Sequence, residues 1–333
     1  MVRLQVFLLG LSLVSLVHAS NLSREIELCE QNLRLVVCVT ASSESGPAKE
    51  CASVSPDSPY VRKLVDIARE LPVYPRKVLC HLRRIQIHTN LGSGGYVTEL
   101  QGLQSGKRGY MMGLKDVFFD SRYNPNQIWT WKEQLNFGLS SREDASYSVS
   151  ERGPHLLAMN ATAHPHLFEL VVHEIFHVID FLNDVHRLSC EKIEGAWKCS
   201  IRPESFAALD WKPNFKWDFA MGRWKKAFPW LAYLCFYDCG SKTLEEGHIE
   251  VVYEELRSSP FVTSYSVVSP REDFAEFGLF WTLAQMQVPF RNVATRADGS
   301  ELLNAEVQLR SEQNRQRRQW FSQFLSRKDL KFQ

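Results

Sequence analysis

The sequence predicts an α+β fold, and three observations support this prediction. Between Val78 and Asp120, short alternating apolar runs separated by glycine-rich turns are typical of strands. Residues 165–183 carry apolar side chains nearly all round a helical projection, which is typical of a buried helix. From Glu301 onward the pattern is mostly helical. We therefore expect a small mixed sheet, a buried central helix and further helices.

The composition is that of an ordinary globular protein. The chain has 333 residues, of which 44% are hydrophobic and 23% are charged, enough for one large core or two small ones. With 39 basic and 38 acidic residues the formal net charge is +1. This balance gives no electrostatic argument for binding nucleic acid or an anionic membrane.

Residues 1–19 are typical of a signal peptide. Arg3 supplies the positive charge, an apolar run follows, and Val17-His18-Ala19 resembles a cleavage site. We expect a mature chain that begins near Ser20, is secreted or periplasmic, and is not stably inserted in a membrane. The alternative for these residues is a short N-terminal anchor. No later segment approaches a membrane-spanning length.

The cysteine content fits an oxidising compartment. We predict that the first four cysteines pair among themselves and that Cys190 pairs with Cys199 across a turn. The alternative is that the last four cysteines bind a zinc ion, but their spacing lacks the usual Cys-x-x-Cys pattern. The eight cysteines are Cys29, Cys38, Cys51, Cys80, Cys190, Cys199, Cys235 and Cys239.

Two regions follow the predicted signal peptide. Residues 20–77 are expected to form a cysteine-containing extension, with a helix from Tyr60 to Leu71 that Pro72 stops. Residues 78–333 form the main domain, with an insertion at about 184–262. That insertion is either an aromatic platform for sugar or peptide or, as we favour, a packed subdomain. It is rich in tryptophan: Trp197, Trp211, Trp217, Trp224 and Trp230.

Two smaller expectations concern surfaces. The run from Tyr110 to Asp120 is predicted to lie near an edge strand that an extended peptide could join. Arg315, Arg317 and Arg318 are predicted to form a solvated basic face.

The most informative motif is His-Glu-x-x-His at residues 173–177. On a helix, His173 and His177 lie one turn apart on one face and can bind the same metal ion, with Glu174 beside them as a general base. The alternative is a core helix in which both histidines make ordinary hydrogen bonds and bind no metal. It is less favoured because a buried, unpaired Glu174 would be energetically expensive.

A catalytic zinc site needs a third protein ligand. The metzincin pattern, with glycine and histidine further along the helix, is excluded because Asp180 and Asn183 occupy those positions. Asp180 is itself poorly placed to reach the same ion. The better candidates are Glu272 and Glu276, one turn apart on a helix that Pro270 would begin. One can bind the ion while the other accepts a hydrogen bond from a ligand histidine; an acidic first turn without chemistry is the alternative.

His-Glu-x-x-His-x-x-Asp, followed later by Ser-Tyr and Glu-Asp-Phe-Ala-Glu, resembles the gluzincin-type zinc metallopeptidases represented by the anthrax lethal factor catalytic domain and the bacterial Pro-Pro endopeptidases. The resemblance covers residues 165–183 and 262–280. It implies a zincin-like fold with one catalytic Zn²⁺. It implies His173, His177 and Glu272 as zinc ligands. It also implies Glu174 as general base, Tyr265 as the oxyanion donor and Glu276 as a partner of a ligand histidine. Asp180 then remains as a supporting carboxylate.

The expected function is therefore that of a secreted zinc-dependent endopeptidase acting on a protein or peptide substrate. The alternative is a non-catalytic secreted protein that binds peptide or glycan on the same fold. The intact base and Tyr265 favour the enzyme. The segment between His177 and Glu272 is longer than expected of these relatives, so their substrate preferences are not carried over.

Overall fold

The computed structural model describes residues 22–100, 109–120, 136–137, 155–160, 164–186, 188–193, 196–214, 228–236, 244–287, 290–295 and 300–332. The chain forms two compact units, which meet in sequence between Phe119 and Asp120. Both combine helices with sheet, in agreement with the α+β prediction. The boundary predicted between residues 77 and 78 falls inside the first unit.

The first unit contains a five-stranded mixed sheet. Its strands are β1 (Val37–Thr40), β2 (Ala52–Ser53), β3 (Arg84–His88), β4 (Gly95–Leu100) and β5 (Gly109–Lys115). The spatial order is β2-β1-β3-β5-β4, in which β1, β3 and β5 run parallel while β2 and β4 are antiparallel to their neighbours. The predicted small mixed sheet is thus present, and β1 is one of its inner strands.

Strand β5 is not an edge strand. It lies between β3 and β4, so its backbone groups are paired on both sides. The predicted position near an edge strand is confirmed, because β5 pairs with β4, which ends the described strand order; the joining of an extended peptide stays a prediction. The strand also ends at Lys115, and Asp116–Phe119 forms a 3-10 turn rather than a continuation of it.

Three helices belong to the same unit: α1 over residues 22–36, α2 (Pro59–Glu70) and α3 (Val73–Cys80). The side chain of Ser58 caps α2 by accepting from the backbone N–H of Val61. The apolar face of α2 is buried, with Leu64 and Ala68 fully inaccessible. The helix predicted from Tyr60 to Leu71 is confirmed within one residue.

Two disulfides join the first four cysteines, Cys29 to Cys80 and Cys38 to Cys51, which confirms their predicted grouping. Cys190 and Cys199 are backbone partners in the register of two antiparallel strands; the predicted bond between them stays a prediction. Cys235 is disulfide-bonded, which argues against a zinc site that uses its thiolate.

The second unit holds the longest helix and most of the chain. Its helices are α4 (Pro165–Asn183), α5 (Ala207–Asn214), α6 (Ile249–Ser258), α7 (Pro270–Gln285), α8 (Ala305–Arg310) and α9 (Arg315–Leu325). Its strands are β6 (His155–Asn160), β7 (Leu188–Ile193), β8 (Ala196–Ile201), β9 (Phe290–Thr295) and β10 (Glu301–Asn304). They form a sheet of order β10-β9-β6 and the hairpin β7-β8.

One core region of this unit is aromatic and lies where α4, α7 and α9 pack together. Phe176 of α4 contacts Phe274 of α7 edge to face, with 5.7 Å between ring centroids, and Phe321 of α9 lies 5.1 Å from Phe274. A side chain at Gly278 would overlap the ring of Phe176, so glycine is what lets α7 approach α4 this closely. This contact fixes the spacing between the two helices that carry the candidate metal ligands.

Two residues singled out in the sequence are buried. Trp211 is only 1% exposed, which supports packing rather than a ligand platform for this residue. Arg317 is likewise 1% exposed, so the prediction of a solvated basic face is wrong for it. The guanidinium of Arg317 pairs with Asp273 and stacks on Phe206.

Among the described helices, none combines the length and apolar character that crossing a membrane requires. The predicted signal peptide, residues 1–19, lies outside the described residues, as do Trp217, Trp224 and Cys239.

Candidate metal centre

The two motif histidines lie on α4 and face the same point. His173 is buried, and its Nε2 atom is 3.1 Å from Nε2 of His177 one turn later. Helix α4 starts with Pro165 at its first turn and ends at Asp184, whose left-handed backbone (φ 51°) terminates it. The all-round apolar pattern predicted burial, and the structure confirms it for most of the helix.

Glu272 completes the cluster from α7. Its Oε2 atom is 3.1 Å from Nε2 of His173 and 3.2 Å from Nε2 of His177. Ser269 caps α7 by accepting from the N–H of Glu272, which fixes the first turn that carries this carboxylate. The structure thus brings together the three residues that the resemblance implies as ligands, and this group could hold a metal ion.

The spacing of the three donor atoms fits a small divalent cation. In a tetrahedral site with ligand distances of about 2.0–2.1 Å, neighbouring donor atoms are about 3.3 Å apart. The observed triangle of 3.1, 3.1 and 3.2 Å is close to this value. Two imidazole nitrogens and a carboxylate oxygen also form a donor set that first-row divalent metals accept.

Glu276 lies one helical turn after Glu272 and contacts the other nitrogen of His173. Its Oε1 atom is 2.8 Å from Nδ1 of His173. When Nδ1 carries the proton and donates to this carboxylate, Nε2 of the neutral ring presents its lone pair to the cluster. Sequence reasoning left open which glutamate ligates and which supports; the structure puts Glu272 at the ligand cluster and Glu276 behind the histidine.

The pKa values of His173 and Glu272 reflect the close approach of these charged groups. Burial lowers the pKa of His173, but the hydrogen bonds and charges of Glu272 and Glu276 outweigh it and raise the pKa well above the ordinary value. Burial likewise opposes ionisation of Glu272, yet the positive charges of His177 and His173 hold its pKa below the ordinary range. The cluster therefore favours a cation between its donors, either a proton or a metal.

Glu174 is 4% exposed and follows His173 on the same helix. Within the described part of the chain, its Oε2 atom has no hydrogen-bond partner. Burial raises the pKa of Glu174, although the histidine charges oppose the shift. A buried carboxylate with an uncommitted oxygen, next to a cluster that could hold a metal ion, is suited to accepting and returning a proton.

Tyr265 lies beside the cluster, in the 3-10 turn Tyr265–Val267 that precedes α7. Its ring centroid is 5.9 Å from that of His173, and Phe236 contacts it edge to face at 5.2 Å. The residue is only 6% exposed, so its ring is held in place by packing. The resemblance implies Tyr265 as the oxyanion donor, and the structure puts its ring next to His173.

Asp180 belongs to a different set of contacts. Its Oδ1 atom accepts from the backbone N–H of His186 at 2.9 Å, and Oδ2 lies 3.6 Å from Nε of Arg271. Burial opposes its ionisation, but the charges of His186 and Arg271 and the hydrogen bonds from His186 lower the pKa of Asp180 below its ordinary value. It ties the end of α4 to the following turn and is not in the three-residue group.

Two contributors were missed in the sequence. Thr263 donates to Glu276 from the loop before Tyr265, at 2.6 Å, and Arg317 pairs with Asp273, the residue after Glu272. Neither residue has a regular sequence spacing to the motif residues, because Thr263 reaches the site through Glu276 and Arg317 through Asp273. The Thr263-x-x-Ser266 turn signal was the only available hint.

Comparison of this chain with family descriptions, with curated proteins and with solved structures finds no match.

Proposed function

We propose that this protein is a zinc-dependent endopeptidase of the gluzincin type. The observation that carries the proposal is the convergence of Nε2 of His173, Nε2 of His177 and Oε2 of Glu272 within 3.2 Å of one another, with buried Glu174 beside them. Three protein ligands leave a fourth position for water or substrate, which distinguishes catalytic zinc sites from structural ones.

His173, His177 and Glu272 would hold the metal, and Glu276 would keep His173 in the ligating tautomer. Zinc held by these residues supplies Lewis acidity toward a carbonyl oxygen and a water nucleophile at neutral pH. All remaining steps use the chain's own groups.

Glu174 accepts the proton of the attacking water and passes it to the departing amine, so that one peptide C–N bond breaks as one C–O bond forms. The hydroxyl of Tyr265 donates to the negative charge that develops on the carbonyl oxygen.

Glu174→Gln tests this mechanism because it removes the base and keeps the shape. We expect unchanged zinc content and folding, with cleavage of a peptide library reduced by at least about 100-fold. Chelation should abolish wild-type cleavage, and added Zn²⁺ should restore it. Equal cleavage by wild type and Glu174→Gln would overturn the mechanism, whereas peptide or glycan binding without turnover by the zinc-loaded wild type would favour the non-catalytic alternative.

A further inference from the structure

The carboxylate of Glu276 is held at both oxygens. Oε1 faces Nδ1 of His173 at 2.8 Å, and Oε2 accepts from the hydroxyl of Thr263 at 2.6 Å. Glu276 is only 3% exposed, so water does not compete strongly for either oxygen. Its orientation toward His173 therefore depends on the donor at Thr263.

Thr263 is itself fixed by the turn that follows it. Its Oγ1 atom accepts from the backbone N–H of Ser266 at 3.2 Å and lies 3.2 Å from the hydroxyl of Ser266, which is fully buried. With these contacts on its lone pairs, the single hydroxyl proton of Thr263 is directed at Glu276. A hydrogen bond to a buried carboxylate is among the stronger ones in proteins.

The same turn carries Tyr265, between Thr263 and Ser266 in the chain. One hydroxyl thus joins two parts of the site, the carboxylate behind His173 and the turn that holds the tyrosine. Loss of this hydroxyl would leave Oε2 of Glu276 buried without its donor, which is costly for a charged group.

We infer that Thr263 is a positioning residue: through Glu276 it fixes the tautomer and orientation of His173 and thereby strengthens metal binding. The inference rests on the proposed function in one respect, that His173 is a metal ligand. It concerns a residue two steps from the metal, and its test does not require turnover.

The experiment compares Thr263→Val, which keeps the branched shape without the hydroxyl, with Thr263→Ser, which keeps the hydroxyl. Zn²⁺ affinity of the full chain is measured by competition with a chromogenic chelator. We expect Thr263→Val to bind Zn²⁺ about tenfold more weakly, in the range found for partners of metal ligands, and Thr263→Ser to bind as wild type. In Glu276→Gln, adding Thr263→Val should cause little further loss, because both changes break the same connection.

Ser259→Ala is the matched control. Ser259 is a fully buried hydroxyl that donates to the carbonyl of Leu256, so its loss should lower stability without altering Zn²⁺ affinity. If Thr263→Val does not fold, Thr263→Ala against Thr263→Ser makes the same comparison.

The outcomes separate this inference from the proposed function. If wild type binds Zn²⁺ and Thr263→Val binds it with equal affinity, the role of Thr263 is overturned and the proposed function is not. If wild type binds no Zn²⁺, the role of Thr263 and the proposed function are both overturned. Loss of affinity in Thr263→Ser equal to that in Thr263→Val would show that shape rather than the hydroxyl matters, and would also overturn the inference.

Discussion

Arg317 donates a hydrogen bond from its buried guanidinium to the carboxylate of Asp273, the residue that follows Glu272 in α7. Its Nε atom lies 3.2 Å from Asp210, and its planar group stacks on Phe206 and Phe277. The turn of helix that bears the third ligand is therefore anchored to α9 by a buried ion pair.

Replacing Arg317 by methionine should destabilise the protein by about 3–5 kcal/mol, because it leaves Asp273 buried without its partner. The measurement is the free energy of unfolding in urea. Arg315→Met is the control: Arg315 pairs with Glu312 on the surface, both side chains being more than half exposed, and its loss should cost less than about 1 kcal/mol. Equal effects of the two changes would contradict a structural role for the buried pair.

Gly278→Ala should destabilise the protein by about 1–3 kcal/mol. The added methyl group would overlap the ring of Phe176, and this outweighs the helix preference of alanine over glycine. Zn²⁺ affinity should fall as well, because the ligands lie on the two helices that would be forced apart. Gly247→Ala is the matched control, since no atom lies within 4 Å of its added group; it should leave both the free energy of unfolding and the Zn²⁺ affinity unchanged.

Glu272→Ala should remove metal binding, and Asp180→Ala should leave the metal stoichiometry intact. The first change deletes a donor atom 3.1–3.2 Å from both histidine nitrogens, whereas Asp180 contacts His186 and Arg271 instead. Loss of affinity in Glu272→Ala should exceed the roughly 100-fold upper range found for supporting residues. The metal content of both variants is measured by atomic emission. Loss of the ion from Asp180→Ala together with its retention in Glu272→Ala would contradict Glu272 as the third ligand.

The Asp180 carboxylate should make stability depend on pH in acid. Its pKa is lower in the folded protein than its ordinary value, so it stabilises the fold above the unfolded pKa of about 3.9. That contribution is lost as pH falls through the folded pKa. The difference in unfolding free energy between wild type and Asp180→Asn should therefore shrink as the pH falls below about 4. A difference that grows with acidity would contradict the sign of the shift.

The two disulfides should contribute unequally to stability. They are separated by 51 and 13 residues, and closing the longer loop removes more entropy from the unfolded chain. The loop-closure relation gives about 4 kcal/mol for Cys29–Cys80 and about 3 kcal/mol for Cys38–Cys51. Paired Cys→Ala variants in urea unfolding should show this order, and the reverse order would point to contacts in the folded state.

Much of the metal centre could be predicted from the sequence because its geometry is local. Helical periodicity alone puts His173 and His177 on one face, and the same rule pairs Glu272 with Glu276. Which glutamate faces the Nε2 atoms of the two histidines and which faces Nδ1 of His173 depends on how α7 crosses α4. That crossing is set by a glycine against Phe176, a long-range contact without a sequence signature.

Three strands of the five-stranded sheet could be predicted from the sequence, but the order of the strands could not. Alternating side chains identified β3, β4 and β5, whereas strand order depends on partners far apart in sequence. Strand β1 pairs with β3 across a separation that includes α2 and α3, and this was not foreseen. Arg317 was misjudged because a basic cluster is usually solvated, and its carboxylate partners come from α5 and α7.

The two helices that carry the candidate ligands have a further consequence for the long segment between them. His177 and Glu272 are 95 residues apart in sequence, yet their donor atoms are 3.2 Å apart. The entropic cost of closing such a loop grows only with the logarithm of its length, by about 0.6 kcal/mol for each doubling. Because α4 and α7 already pack against each other, lengthening this segment should perturb the cluster little, provided that Thr263 and Tyr265, which lie near its end and contact the site, are kept.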